Sequence, residues 1–231
     1  MTGEATDMRK LLTVAVLILG LGACAEPPRP ETSADQRAKC EEALKPSAVT
    51  WLESRVQASA VSFQVARNTA EAGESLAKDL SAWQPGRRHE SDIGSVRVCS
   101  ISAPSPGARY RVEYEVSTEA LDMVSSPRRG SMVRVSDDVV LTSSWRPPVE
   151  DVPDGIGRGE YALYVRCRVP GADPGQLDGA PLKGELEDSL TNESSARVHY
   201  THLLHSARVM VKALGCTNRP VVPAQPPASV K

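Results

Sequence analysis

The chain has 231 residues, 27 Lys and Arg against 29 Asp and Glu, and a formal net charge of −2, so it lacks the strong positive field that nucleic-acid partners call for. Only 4% of the residues are aromatic, and the length fits one ordinary domain or at most two small ones.

The N-terminal segment reads as an address. Met8-Arg9-Lys10 is positive, and Leu11 to Leu21 is uncharged. That run is shorter than the roughly 20 residues a spanning helix needs. It closes on Leu21-Gly22-Ala23-Cys24, which resembles the lipobox of bacterial lipoproteins. The resemblance implies that the Cys24 thiol is diacylated with palmitate-type chains and that cleavage makes Cys24 the mature N-terminus. The alternative is an ordinary signal peptide with an incidental cysteine at the cut. Two acyl chains hold a protein stably on a membrane, at about 0.8 kcal/mol per buried methylene. Acidic residues precede Met8, so Met8 competes with Met1 as the true start. Glu4 and Asp7 cancel Arg9 and Lys10, so removal of 1–23 leaves the net charge unchanged. Arginine exceeds lysine, alanine and valine abound, and Phe occurs once. Together with the lipobox, this style resembles the lipoproteins of actinomycetes such as Streptomyces. The resemblance implies a location, the extracytoplasmic face of the cell membrane, and carries no activity with it.

After the signal at 1–23, residues 24–35 contain three prolines in AEPPRPETSA and read as a tether. Ten extended residues reach about 30 Å. Ser33 to Leu44 reads as a short polar helix stopped by Pro46. Val61, Phe63 and Val65 alternate as in a strand, and Ala72, Leu76, Leu80 and Trp83 recur at helical spacing over Thr69 to Trp83. Ser95 to Ser102 is β-rich. Tyr110, Val112, Tyr114 and Val116 then alternate with Arg111, Glu113, Glu115 and Ser117, one buried and one wet face, as in an antiparallel sheet. Met132 to Ser144 reads as two strands or one broken strand, with Ser136-Asp137-Asp138 as the turn. Tyr161, Leu163, Val165, Cys167 and Val169 form a further inward face. Asn192 to Leu214 is the longest helix, and Gly215 sits at its C-terminal cap. Residues 217–231 hold four prolines and read as a disordered tail. The expected fold is a single α+β domain over 36–216. It has an antiparallel sheet of about four to six strands, with the Thr69 to Trp83 and Asn192 to Leu214 helices on one face.

With Cys24 lipidated, Cys40, Cys99, Cys167 and Cys216 remain, an even number in an oxidising compartment, and two disulfides follow. Their wide spacing does not suit a structural zinc site. If Val96 and Val98 face the core, Cys99 points away from Cys167. That favours Cys40–Cys99 with Cys167–Cys216, and Cys40–Cys216 stays open as the alternative.

Candidate chemistry is sparse. His199, His202 and His205 lie three apart on a helix, but His199 and His205 diverge by about 120° and no acidic ligand is near in sequence. A solvated helix flank without metal is expected. Ser75-Leu76-Ala77-Lys78 has the S-x-x-K spacing of serine acyl enzymes, yet K-T-G is missing, and Ser91-Asp92-Ile93 and Ser136-Asp137-Asp138 only approach S-D-N. Asp151-Val152-Pro153-Asp154-Gly155 reads as a turn rather than a calcium loop. Trp145 beside Arg146-Pro147-Pro148 is either a partner anchor in a loop or a cap on the sheet edge. Arg87-Arg88-His89 and Arg128-Arg129 read as loop charges. No catalytic residue and no cofactor is expected. The leading expectation is a non-catalytic envelope lipoprotein that binds a partner or ligand and meets the membrane through Cys24. An envelope hydrolase with a nonlocal active site, or a carrier of an apolar or lipid ligand, is the alternative.

Overall fold

Seven antiparallel strands form one sheet in the order β1-β2-β3-β7-β6-β5-β4. The structure, a computed structural model, describes residues 31–56, 61–86, 94–104, 107–124, 131–146 and 157–231. Cys24, the signal segment, the Arg87 and Arg128 pairs, Ser91-Asp92-Ile93, Pro147-Pro148 and Asp151 to Gly155 lie outside the described residues. In chain order the elements are α1 (Ser33–Leu44), α2 (Pro46–Arg55), β1 (Ser62–Gln64), α3 (Thr69–Ala82), β2 (Val96–Ser102) and β3 (Arg109–Val116). They continue with α4 (Leu121–Val124), β4 (Ser131–Arg134), β5 (Val139–Arg146), β6 (Arg158–Val165), α5 (Gln176–Gly179), β7 (Leu182–Asp188) and α6 (Ala196–Leu214). The class is α+β as expected, with more strands than the four to six read from the sequence.

Local chemistry fixes the helix ends. Thr32 Oγ1 accepts from the Asp35 N–H at 3.2 Å, and the Asp35 carboxylate accepts from the Thr32 N–H at 2.8 Å, so a capping box starts α1 inside the stretch read as tether. Asn68 and Glu71 form the same box at the start of α3. Pro46 does not close a helical region; it occupies the first turn of α2, where its missing N–H costs no bond. Gly215 takes φ 63°, the left-handed cap that ends α6.

Helices α1, α3 and α6 cover one face of the sheet. Tyr110, Val112, Tyr114 and Val116 of β3 point into that layer and are buried, while Arg109, Arg111, Glu113 and Glu115 point the other way. Where α3 meets α6, a Cβ on Gly73 would stand 2.8 Å from Ala213 Cβ, so only glycine permits this approach. Among the described residues the opposite face carries one small apolar patch, in which Leu121 and Val124 of α4 pack on Val140 and Tyr164.

The disulfides join Cys40 to Cys99 and Cys167 to Cys216. The reason differs from the strand-phase argument. The register shifts between Arg97, which opposes Glu113, and Cys99, which opposes Val112. Val98 is the extra residue of a β-bulge, and Cys99 returns to the helix-covered face that also holds Cys167. Lateral distance separates the two instead. Strands β3 and β7 intervene, about 14 Å of sheet at about 4.8 Å per strand, twice what a disulfide can span.

The last fifteen positions correct a second expectation. Residues 217–231 are packed, not disordered: Val222 and Val230 belong to the core, and Arg197 donates to the carbonyls of Pro227 and Val230 at 2.9 and 3.1 Å. Proline bars helix and ladder there, but it leaves carbonyls for a guanidinium and does not keep valines from burial.

Candidate functional site

The face of the sheet opposite α1, α3 and α6 is where the alternation in sequence becomes a surface. On β3, β7 and β6, every second residue points outward: Arg109, Arg111, Glu113 and Glu115, then Lys183, Glu185 and Glu187, then Arg158 and Glu160. Register sets them beside one another, Arg111 opposite Glu187 and Glu187 opposite Glu160, with Glu115 opposite Lys183. Glu187 gathers three guanidinium groups, from Arg109 at 3.1 Å, Arg111 at 2.8 Å and Arg158 at 3.1 Å. Glu113 takes Arg97 at 3.0 Å and Arg111 at 3.4 Å. Lys183 reaches Glu115 at 2.8 Å and also contacts Glu185. Burial alone would lower the Lys183 ammonium, but the two carboxylates more than offset it and hold the group above its ordinary range.

A depression of about 460 Å³ lies across this lattice, floored by β7 and β6 and reaching Thr142 and Ser144 of β5. Its walls are charged and hydroxylic, and it is broad and open. Cross-linked charges of both signs keep their side chains extended and in register. Such an array can offer a polar partner fixed donors and acceptors at low entropic cost. Within it the exposed Ser144 hydroxyl donates to the Glu160 carboxylate at 3.3 Å.

Beneath the sheet, on the helical side, lies a second polar cluster. Asp188 ends β7 and meets α6, where His199 Nε2 stands 2.8 Å from its carboxylate. The N–H groups of Leu190 and Thr191 donate to Asp188 at 2.8 and 3.0 Å, and the Thr191 hydroxyl donates as well. Burial would raise the Asp188 carboxyl, yet His199, Thr191 and Leu190 outweigh it and hold the group below its ordinary 3.8. His199 Nδ1 faces the Ser195 carbonyl at 2.8 Å, so both ring nitrogens meet oxygen atoms. Tyr161 stacks on this imidazole at 4.2 Å. One turn on, the Tyr110 hydroxyl lies 2.8 Å from His202 Nδ1. Burial, reinforced by His199 and opposed by Asp188, pushes His202 down to about 4 and keeps it a neutral acceptor for Tyr110. His199 and Asp188 are 0% and 1% exposed, so no substrate reaches them; the cluster pins α6 to the sheet.

The sequence-predicted residues therefore scatter. The histidines are not a solvated flank: His199 is buried on Asp188, a partner eleven residues away that the helix pattern hides, and His202 is mostly buried. Among the described residues no group of three or more His, Cys, Asp or Glu is disposed to hold a metal. Ser75 is half-buried and Lys78 exposed on α3. Trp145 and Arg146 belong to β5 rather than to a loop, Trp145 lying half-buried opposite Gly159. Glu187, Glu185 and Asp188 went unnoticed because β7 reads poorly as a strand. No protein-family model, curated protein or solved structure matches the chain.

Proposed function

We propose that this protein is a lipid-anchored lipoprotein of the extracytoplasmic membrane face and a non-catalytic binding module, whose open sheet face holds a polar partner of the cell envelope. One observation carries the reading: the face opposite α1, α3 and α6, on which α4 covers Val140 and Tyr164, is set across three adjacent strands with interlocked charges of both signs around a broad depression. A partner surface uses such a lattice for register and specificity. The depression is polar, and among the described residues the large apolar side chains left exposed are only Met123 and Val221, which weighs against an apolar or lipid cargo. Among these residues no helix is long and apolar enough to cross a membrane. The lipid on Cys24 supplies the attachment in this reading, with residues 25–30 as the remaining spacer.

Chemical crosslinking of intact cells followed by mass spectrometry tests it. Crosslinks from Lys183, on the open face, to one recurrent envelope neighbour are expected. Crosslinks confined to Lys78 and Lys212, on the helical layer, would overturn the assignment of the face.

A further inference from the structure

The open face is not uniform. At its β1–β3 end, Ser100 lies opposite Arg111, Ser102 opposite Arg109, and Gln64 opposite Ser100. Short side chains between long ones leave a trough of about 330 Å³, walled by Arg97, Arg109 and Arg111, with Ser100, Ser102 and Gln64 as further polar lining and no acidic residue among the lining groups. The neutralising carboxylates stand behind these walls. Arg97 gives its Nε to Glu113 at 3.0 Å, and Arg109 and Arg111 each give one terminal nitrogen to Glu187 at 3.1 and 2.8 Å. A guanidinium has five N–H donors in a rigid fork, so each wall keeps donors in excess. Arg109 Nε is shielded from water and has no partner among the described residues. Three guanidinium groups face Glu113 and Glu187, and Glu187 is shared with Arg158.

We propose that this trough binds a phosphate group carried by the protein's ligand, an inference that rests on the open face being the binding surface. Glu113 and Glu187 hold the guanidinium planes in place before the ligand arrives, as carboxylates behind a preorganised site do. Donors from several directions suit a tetrahedral anion with its oxygens splayed, and arginine forks engage two of those oxygens at a time. A planar carboxylate satisfies one fork only.

Titration of the full chain in detergent with inorganic phosphate, followed by calorimetry in a phosphate-free buffer, tests the site. Saturable one-site binding is expected, weakened about tenfold or more by Arg97→Gln or Arg109→Gln and unchanged by Lys212→Gln on the outer helix. Should a glutamine variant melt early, Arg97→Lys serves, since it keeps the charge, loses the fork and is expected to bind more weakly. Glycerophosphoglycerol, a soluble lipid head group, separates the two sources. Tighter binding than inorganic phosphate points to a membrane lipid, weaker binding to a free or terminal phosphate, and both uphold the phosphate site. No saturable binding, acetate bound as tightly as phosphate, or arginine variants that bind like the wild type would overturn it. The crosslinking of the open face is read independently, so loss of the phosphate site leaves the partner surface standing and loss of the surface is seen as such.

Discussion

Asp188 and His199 show how much a buried pair can weigh in a fold whose visible charges are mostly at the surface. Removing one partner of such a pair leaves the other uncompensated, at about 3–5 kcal/mol. Asp188→Asn is therefore expected to lower stability by that order in urea denaturation at neutral pH, and a loss under about 1 kcal/mol, the scale of an exposed pair, would contradict it. The acid dependence carries a sign. Because the folded Asp188 carboxyl sits below its ordinary 3.8, its contribution is present above that pH and disappears as the pH falls through the lower folded value. His202 acts over a higher window. Its folded value of about 4 lies below the ordinary 6.5, so the stability of its neutral form is complete above 6.5 and is lost as the pH falls toward 4. His202→Asn keeps an acceptor for Tyr110 and removes the titration. Melting curves across that window should be flatter for the variant than for the wild type, and an unchanged slope would show that His202 is not the sensor.

Among the elements, legibility followed side-chain character. α1, α3, β3 and α6 announce themselves by caps and alternation, and Thr69–Ala82 and Arg109–Val116 lie within a residue or two of the reading. β7 does not, because LKGELED holds Gly, Glu, Asp and Lys, all poor strand formers, and becomes a strand only between β3 and β6. That one omission hid the centre of the candidate face, since Glu187 and Lys183 both sit on β7. Where the sheet and helices meet, the disulfides close loops of 59 and 49 residues, for which chain entropy gives about 4 kcal/mol each as an upper figure. Non-reducing peptide mapping should find Cys40 with Cys99 and Cys167 with Cys216, and a Cys40–Cys216 peptide would refute the pairing. The contact of α3 with α6 is equally demanding. Gly73→Ala places a methyl 2.8 Å from Ala213 Cβ and is expected to cost about 1–3 kcal/mol by overpacking, read as a lowered melting temperature.

At the scale of the whole molecule, the proposed function joins an anchor expected from the sequence to a face seen in the fold. Composition made the face invisible: with Arg97, five positive and five negative side chains that cancel in a net total are, once folded, a lattice of both signs on four strands. The proposed anchor rests on a sequence motif, and Cys24→Ser is expected to leave the protein unprocessed or released, while the wild type partitions into detergent. An unmodified Cys24 in the mature protein would remove the anchor. The central claim is that the open sheet face, and not the helical layer, meets the partner. A photo-crosslinking side chain placed in living cells at Ser144, exposed on β5 beside Glu160, and in a parallel strain at Ser81, exposed on α3, tests it most directly. The account predicts a discrete crosslinked species from position 144 and none from position 81; a species from 81 with 144 silent would contradict it.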